Sequence, residues 1–213
     1  MHFLSEELEN YVAAHSQDEP QLLAQLNKET YQKILQPRML SGHFQGRVLS
    51  MLSKIISPKN VLEIGTYTGY ATLCLAEGLA QNGYIDTIDN NEELFDFQKK
   101  YFDKSIFKNQ ITQHLGNALK IIPTLNKKYD LVFIDADKEN YINYYQMIVP
   151  MMNKGGIILS DNVLWSVKVL EKVKENDKST KTLLEYNKLL KTDSRVETVL
   201  LPIRDGLTVT RVL

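Results

Sequence analysis

Val61-Leu62-Glu63-Ile64-Gly65-Thr66-Tyr67-Thr68-Gly69-Tyr70 is the stretch whose reading decides the fold. Val61 to Gly65 reads as a short buried strand ending in glycine, and Ala71 to Leu79 reads as a helix. The alternation then repeats. Tyr84 to Asp89 is a strand and Glu92 to Phe102 a helix. Ile111 to Leu115 is a weaker strand, followed by a short helix to Ile122. Tyr129 to Ile134 is the clearest buried strand, Asn140 to Met152 is helical, and Gly155 to Ser160 is a strand again. Strands alternating with helices predict βαβ units, hence an α/β fold with a mostly parallel sheet and helices on both faces.

The flanks differ from this core. Pro20 can start a helix, and Leu22, Leu23, Leu26, Tyr31, Ile34 and Leu35 follow at helical spacing until Pro37 stops or bends it. Val48, Leu49, Leu52, Ile55 and Ile56 form a second apolar face. At the other end, a charged stretch from Lys168 to Lys191 precedes two β-rich runs, Val196 to Ile203 and Leu207 to Val212. Arg204-Asp205-Gly206 separates them, and Asp-Gly is a hairpin signal, so the sheet is expected to close with an antiparallel hairpin.

A length of 213 residues fits one domain. The expected division is an N-terminal helical extension over 1–58, serving as lid or dimer surface, and a core over 59–213. A composition of 43% hydrophobic and 24% charged residues is that of a globular protein and disfavours disorder, collagen and coiled coil. The net charge of −1 gives no general drive toward nucleic acid or an anionic membrane. The single cysteine, Cys74, excludes an internal disulfide and a Cys-based zinc cluster, and its apolar setting reads as core packing. No apolar run approaches the roughly 18 residues of a membrane span. The start, Met1-His2-Phe3-Leu4-Ser5-Glu6-Glu7, lacks the basic opening of a signal peptide, and a cytoplasmic protein is the expectation.

Ligands of open α/β sheets bind beyond the carboxyl ends of the strands, where polar residues collect here. The first strand delivers Glu63, Gly65, Thr66, Tyr67, Thr68 and Gly69, and the second delivers Asp89. The third delivers Gly116 and Asn117, the fourth Asp135, Asp137 and Lys138, and the fifth Asp161 and Asn162. Glu63-x-Gly65-x-x-x-Gly69 allows close ligand approach at a helix N-terminus, but it is not G-x-G-x-x-G, which weakens a dinucleotide reading. The glycines alone are equally explained by a tight turn. Asp89, an acid suited to ribose hydroxyls, tips the balance to a nucleoside. Asp135, Asp161 and Asn162 are oxygen donors without His or Cys, which suit Mg²⁺ or Ca²⁺ rather than zinc, although each acid could simply cap a helix. Lys138 follows Asp135 by one short turn. A neighbouring cation would favour its neutral form and make it a base; without such neighbours it reads as a solvated surface lysine.

Taken together, Val61 to Tyr70, Phe133-Ile134-Asp135-Ala136-Asp137-Lys138 and Ser160-Asp161-Asn162-Val163-Leu164-Trp165 resemble the cation-dependent O-methyltransferases. That family includes caffeoyl-CoA and catechol O-methyltransferases and small bacterial relatives. The resemblance runs from about Met39 to the C-terminus and includes Pro202 to Thr208. It implies a Rossmann-like seven-stranded sheet, S-adenosylmethionine as methyl donor and a divalent cation, Mg²⁺ first, with Ca²⁺ or Mn²⁺ as alternatives. Position by position, Glu63 and Gly65 would hold the methionine part of the donor. Asp89, with Asn90 beside it, would hold the ribose, and Asn117 with Ala118 would lie at the adenine. Met39 and Ser41 would close over the donor, and Thr66, Tyr67, Gly69, Ala71 and Asp135 would complete its pocket. Asp135, Asp161 and Asn162 match the metal ligands, Lys138 the base, and Trp165 a substrate-side aromatic that equally fits a core or lid role. Ala71 stands where the family often has Ser, and His43 where an acid or proline is commoner. No match appears for the glutamate that orients catechol in the animal enzyme.

The implied reaction is methyl transfer from a sulfonium to a phenolic oxygen of a catechol-type or caffeoyl-type small molecule by a homodimeric enzyme. Some bacterial relatives methylate a hydroxylated uridine in tRNA. That alternative is disfavoured here because Lys168, Lys172, Lys174, Lys178 and Lys181 are interleaved with Glu171, Glu175 and Asp177. A nicotinamide dehydrogenase and a non-catalytic nucleoside-binding protein are the remaining rivals. The first gives Asp135, Asp161 and Asn162 no role as a set, and the second leaves them and Lys138 without purpose.

Overall fold

Strands in the middle of a parallel sheet must bury both faces, so their alternate residues go to opposite cores. β4 (Tyr129–Ile134) shows this: Leu131 and Phe133 enter one core, Val132 and Ile134 the other. β1 (Asn60–Ile64) divides likewise, with Val61 on one side and Leu62 and Ile64 on the other. The computed structural model of the protein describes residues 5–213; the first residues of the expected N-terminal extension, 1–4, lie outside the described residues.

The remaining strands are β2 (Tyr84–Asp89), β3 (Ile111–Leu115), β5 (Met152–Asp161), β6 (Val196–Leu201) and β7 (Leu207–Val212). They form one seven-stranded sheet in the order β3-β2-β1-β4-β5-β7-β6. β3, β2, β1, β4 and β5 pair in parallel, and β7 pairs antiparallel with both β5 and β6. The expected Rossmann-like architecture, seven-stranded and mostly parallel with an antiparallel C-terminal edge, is the one observed.

Helices cover both faces. α6 (Ala118–Ile121), α7 (Tyr141–Ile148) and α8 (Lys178–Thr192) bury Ala118, Tyr141, Tyr145, Leu183 and Tyr186 against one side. α2 (Gln21–Lys33), α3 (Gly42–Ile56), α4 (Tyr70–Ala76) and α5 (Glu92–Lys104) bury Leu26, Leu49, Leu75 and Tyr101 against the other. The N-terminal α2 and α3 thus share the core of the sheet, while α1 (Glu6–Ala14) stays nearer the surface. Cys74 is fully buried in α4, as its apolar setting predicts. No helix among the described residues is long and apolar enough to cross a membrane.

Several element boundaries differ from the sequence reading. α2 ends at Lys33, because Ile34 turns extended and Gln36 is left-handed; Pro37 opens a 3₁₀ turn, Pro37–Met39, rather than closing the helix. α4 stops at Ala76, short of Leu79. α7 gives way at Val149 to a 3₁₀ turn carrying Pro150, which has no N–H for a helical bond, and β5 starts at Met152 by pairing with Tyr129. β6 ends at Leu201, so the hairpin connection is the longer 202–206 loop, with Arg204 (φ +49°) and Gly206 (φ +88°) left-handed.

The sheet continues past its strand ends where the chemistry collects. Asp135 N–H donates to the Ile64 carbonyl at 2.9 Å, and Gly65 N–H donates to the Ile88 carbonyl at 2.9 Å. Gly65 has φ +99°, and a Cβ there would lie 1.9 Å from the Asp135 carbonyl oxygen. Gly65→Ala is therefore expected to cost about 3 kcal/mol, since backbone rather than a flexible side chain must move. Calorimetric melting should show a Tm fall of roughly 6–12 °C. Gly42→Ala, at φ +76° with nothing within 4 Å, should cost only about 1 kcal/mol. Equal losses at the two positions would contradict the steric argument.

Candidate active site

β1 is flanked by β2 on one side and β4 on the other, so the chain leaves it in opposite directions and opens a crevice at the carboxyl ends of the strands. A cavity of about 2090 Å³ lies there. The Gly65–Tyr67 turn and Asp89 line one half of it; Asp135, Lys138, Asp161 and Trp165 line the other.

The first half is organised by Asp89. Its Oδ2 accepts from Tyr67 N–H at 2.6 Å and its Oδ1 from Asn91 N–H at 2.8 Å. Burial raises its pKa, and those backbone donors pull the other way. The Tyr67 hydroxyl lies 3.3 Å from the Leu35 carbonyl and 3.2 Å from that of Gln36, which ties the turn to the segment before Pro37. Asn117 caps α6 through Leu119 N–H at 2.8 Å. Behind this wall stands Glu63, fully buried. Its Oε2 accepts from the Thr72 and Thr87 hydroxyls, and Thr87 is bonded in turn to Thr66 at 2.6 Å. Its Oε1 is buried and has no partner among the described residues. Burial pushes the Glu63 carboxyl up to about 8, against the two threonine bonds.

The second half is a network of charged groups. Lys138 opens a 3₁₀ turn directly after β4 and is only 7% exposed, so it is not a solvated surface lysine. Its Nζ donates to Asp135 Oδ1 at 3.0 Å and to the Tyr141 hydroxyl at 2.6 Å. The Tyr141 hydroxyl donates to the Asp161 carbonyl at 2.8 Å. Asp161, 1% exposed, accepts from Asn162 N–H at 2.9 Å and from Gln45 Nε2 at 2.7 Å. Burial, with the Asp135 charge added, pushes its carboxyl up to about 6; Lys138 and Gln45 oppose the shift. The Trp165 ring lies 6.0 Å from Lys138 Nζ and 5.9 Å from Lys168 Nζ.

Of the residues expected to meet the donor, Met39, Gly65, Tyr67, Asp89, Asn90, Asn117, Ala118 and Asp135 line this cavity. Lys138, Asp161, Asn162 and Trp165 line it as well. Ser41, Glu63, Thr66, Gly69 and Ala71 do not. Ser41, Glu63, Thr66 and Ala71 are packed behind the wall, and Gly69 caps α4. His43 lines the cavity and bonds through Nε2 to the Gln17 carbonyl at 2.7 Å. Sequence reasoning missed Tyr141, Gln45 and Arg204. Gln45 had a signal: a polar residue set on the apolar face of Val48, Leu49 and Leu52. Tyr141 follows Lys138 at helical spacing. Arg204 lies in the Pro202 to Thr208 stretch of the resemblance, but nothing local marks its contact with α3, which only the hairpin creates.

Comparisons with known proteins agree with this geometry. A protein-family model described as O-methyltransferase matches residues 13–213. Caffeoyl-CoA O-methyltransferase 2 of Eucalyptus globulus is 36% identical over 184 residues, covering 81% of this chain and 74% of that protein. Caffeoyl-CoA O-methyltransferase of Medicago sativa is 35% identical over 187 residues, with 81% and 74% covered. The SAH-bound crystal structure of Podospora anserina methyltransferase PaMTH1 is 25% identical, with a TM-score of 0.89 over 100% of this chain and 98% of that one.

The Glu63 carboxyl sets a pH dependence. Its pKa is near 8 when folded and about 4.3 when unfolded, so between those values the folded chain holds a proton that the unfolded chain has lost. Stability of the ligand-free protein should therefore fall as pH rises from about 4.5 to 8. Glu63→Gln should flatten that slope in melting curves at several pH values. A slope unchanged in the variant would show that Glu63 is ionised in the folded protein.

Proposed function

This chain belongs to the O-methyltransferase family, and from that premise we propose that it methylates one hydroxyl of a catechol-type or caffeoyl-type small molecule, using S-adenosylmethionine and a divalent cation. One observation carries the reading: a single cavity joins the Gly65–Asp89 half to the Asp135–Lys138–Asp161 half. The first half suits a nucleoside: Asp89 offers lone pairs not taken by Tyr67 and Asn91, and Gly65 keeps the approach free of side chain. The bound SAH of the Podospora structure, on a fold of TM-score 0.89, supports the same choice.

Asp135, Asp161 and Asn162 fit a hard cation by their donor chemistry, two carboxylates and an amide oxygen. Among the described residues no group of three His, Cys, Asp or Glu side chains forms a metal site, so the set depends on the Asn162 amide. A divalent cation there supplies electrostatic stabilisation of negative charge on the acceptor oxygen. Asp135 has a second role, because its Oδ1 holds Lys138 Nζ, which the Tyr141 hydroxyl steadies from the other side. In this reading Lys138 Nζ takes the proton of the acceptor hydroxyl. The new O–CH₃ bond forms as the S–CH₃ bond breaks, and the sulfonium charge is lost with it. Trp165 offers its face to an aromatic acceptor. Holding the two reactants in line supplies much of the remaining rate. The names of the Eucalyptus and Medicago relatives favour a caffeoyl-type acceptor.

Methyl transfer from labelled S-adenosylmethionine to a caffeoyl-type catechol, with and without chelator, tests the reading. Chelator should abolish turnover. Asp161→Ala should do the same while leaving donor affinity, measured by calorimetry, within a few-fold. Full activity in chelator would remove the cation, and label entering tRNA in preference to catechol would remove the acceptor class.

Lys138→Ala should lower turnover by about 10²–10⁴-fold with little effect on donor affinity. The loss should shrink at high pH, because a phenol ionises unaided near a pKa of about 10. Unchanged turnover across pH would leave Lys138 as only the partner of Asp135 and Tyr141.

A further inference from the structure

Gln45 is 1% exposed on α3, yet its carboxamide reaches the Asp161 carboxylate at the end of β5. Its Nε2 donates to Asp161 Oδ2 at 2.7 Å, and its Oε1 accepts from Arg204 Nη1 at 2.5 Å. The same Arg204 nitrogen donates to the Ser41 carbonyl at 2.6 Å. A carboxamide has a donor end and an acceptor end, whereas a guanidinium only donates. Arg204 therefore claims the Gln45 oxygen, and the amide NH₂ is left to face Asp161. The other Asp161 oxygen, Oδ1, is held by Asn162 N–H at 2.9 Å. With both oxygens anchored at one lone pair each, the carboxylate is stopped from rotating, and its remaining lone pairs are available to the cavity it lines.

We propose that Arg204 and Gln45 are positioning residues: Arg204 fixes which way the Gln45 carboxamide points, and Gln45 fixes the Asp161 carboxylate for a divalent cation. This rests on the reading of Asp135, Asp161 and Asn162 as a cation site. Partners that hydrogen-bond a ligating carboxylate set its orientation, and losing one typically costs 10–100-fold in metal affinity. The relay also ties the start of α3 and the 202–206 loop to the same carboxylate. A staple between α3 and the hairpin would need packing and a charge contact, but not an amide of fixed polarity aimed at Asp161.

The test is Mn²⁺ titration of the whole protein, read as the free-ion signal in electron paramagnetic resonance, with melting and S-adenosylmethionine affinity measured alongside. Gln45→Met keeps the volume and removes both hydrogen bonds. It should weaken Mn²⁺ binding by about 10–100-fold while donor affinity stays within about threefold. Arg204→Met should give a similar loss, and the double variant no more than the larger single loss, because both act through one contact. Arg204→Lys, which keeps a donor for the Gln45 oxygen, should recover much of the affinity even if Arg204→Met melts early. Wild-type Mn²⁺ affinity in a folded Gln45→Met variant overturns the relay, and so do fully additive losses. Asp161→Asn separates the two ideas. If it loses Mn²⁺ while Gln45→Met does not, the cation site stands and the relay falls. If the wild type binds no Mn²⁺, or Asp161→Asn binds as tightly, both fall.

Discussion

The contact of the β1 and β4 ends at Gly65 is the constraint on which the site depends. Any side chain at Gly65 would enter the space of the Asp135 carbonyl, 1.9 Å from where a Cβ would sit. Because Gly65 has none, the ladder between these strands runs on to Asp135 N–H, and the backbone carries Asp135 to the lip of the Gly65–Tyr67 turn. The fourth-strand carboxylate and the first-strand turn then share one cavity. Lys138, Tyr141 and Asp161 follow from that placement, since each is fixed by a hydrogen bond that leads back to Asp135 or to the next member of the chain.

Two carboxyls are buried at this edge, and the protein treats them differently. Glu63 is enclosed by neutral hydroxyls, so desolvation prevails and its carboxyl is pushed up to about 8. Asp161 is as deeply buried, but Lys138, Gln45 and Arg204 all favour its charged form, and it rises only to about 6. The difference is one of partners rather than depth. A buried carboxylate with cationic and amide neighbours keeps its charge available. In one held by threonines burial favours the neutral form, and its Oε1 has no partner among the described residues.

The strands were legible because period-two burial leaves a mark in the sequence: Leu131-Val132-Phe133-Ile134 must satisfy two cores at once, and only apolar residues do. The ends of elements were less legible, since they depend on pairing. Met152 is strand because Tyr129 stands beside it, and β6 stops at Leu201 because Leu207 is its last partner on β7. The polar residues at the strand ends were readable as a set. Their separation into a cavity surface and a layer behind it was not, because it depends on side-chain direction. Glu63 and Thr66 turn toward Thr87, away from the cavity, while Asp89 turns into it. Gln45 could have been noticed as a polar residue on an apolar helix face, but its partner Arg204 is 159 residues distant in sequence and no local pattern joins them.

Asp89 and Asp161 stand at the ends of regular strands; the wall that carries Trp165 does not. Trp165, Ser166 and Val167 are all left-handed, at φ +49°, +52° and +63°, and the last is β-branched. Residues held in such conformations cost on the order of 1–3 kcal/mol each and persist only where their surroundings over-determine them. Here the surroundings are the β6–β7 loop. Leu164 N–H donates to the Asp205 carbonyl at 2.9 Å, and Ser166 N–H donates to the Asp205 carboxylate at 2.5 Å. Gly206 leaves no room for a side chain beside Leu164. The same short loop also carries Arg204, which reaches Ser41 and Gln45. One turn therefore sets the Trp165 wall on one side and the α3 contact with Asp161 on the other. An irregular segment can hold a fixed surface here because the antiparallel hairpin, which no parallel strand could supply, returns the chain to the carboxyl edge of β5.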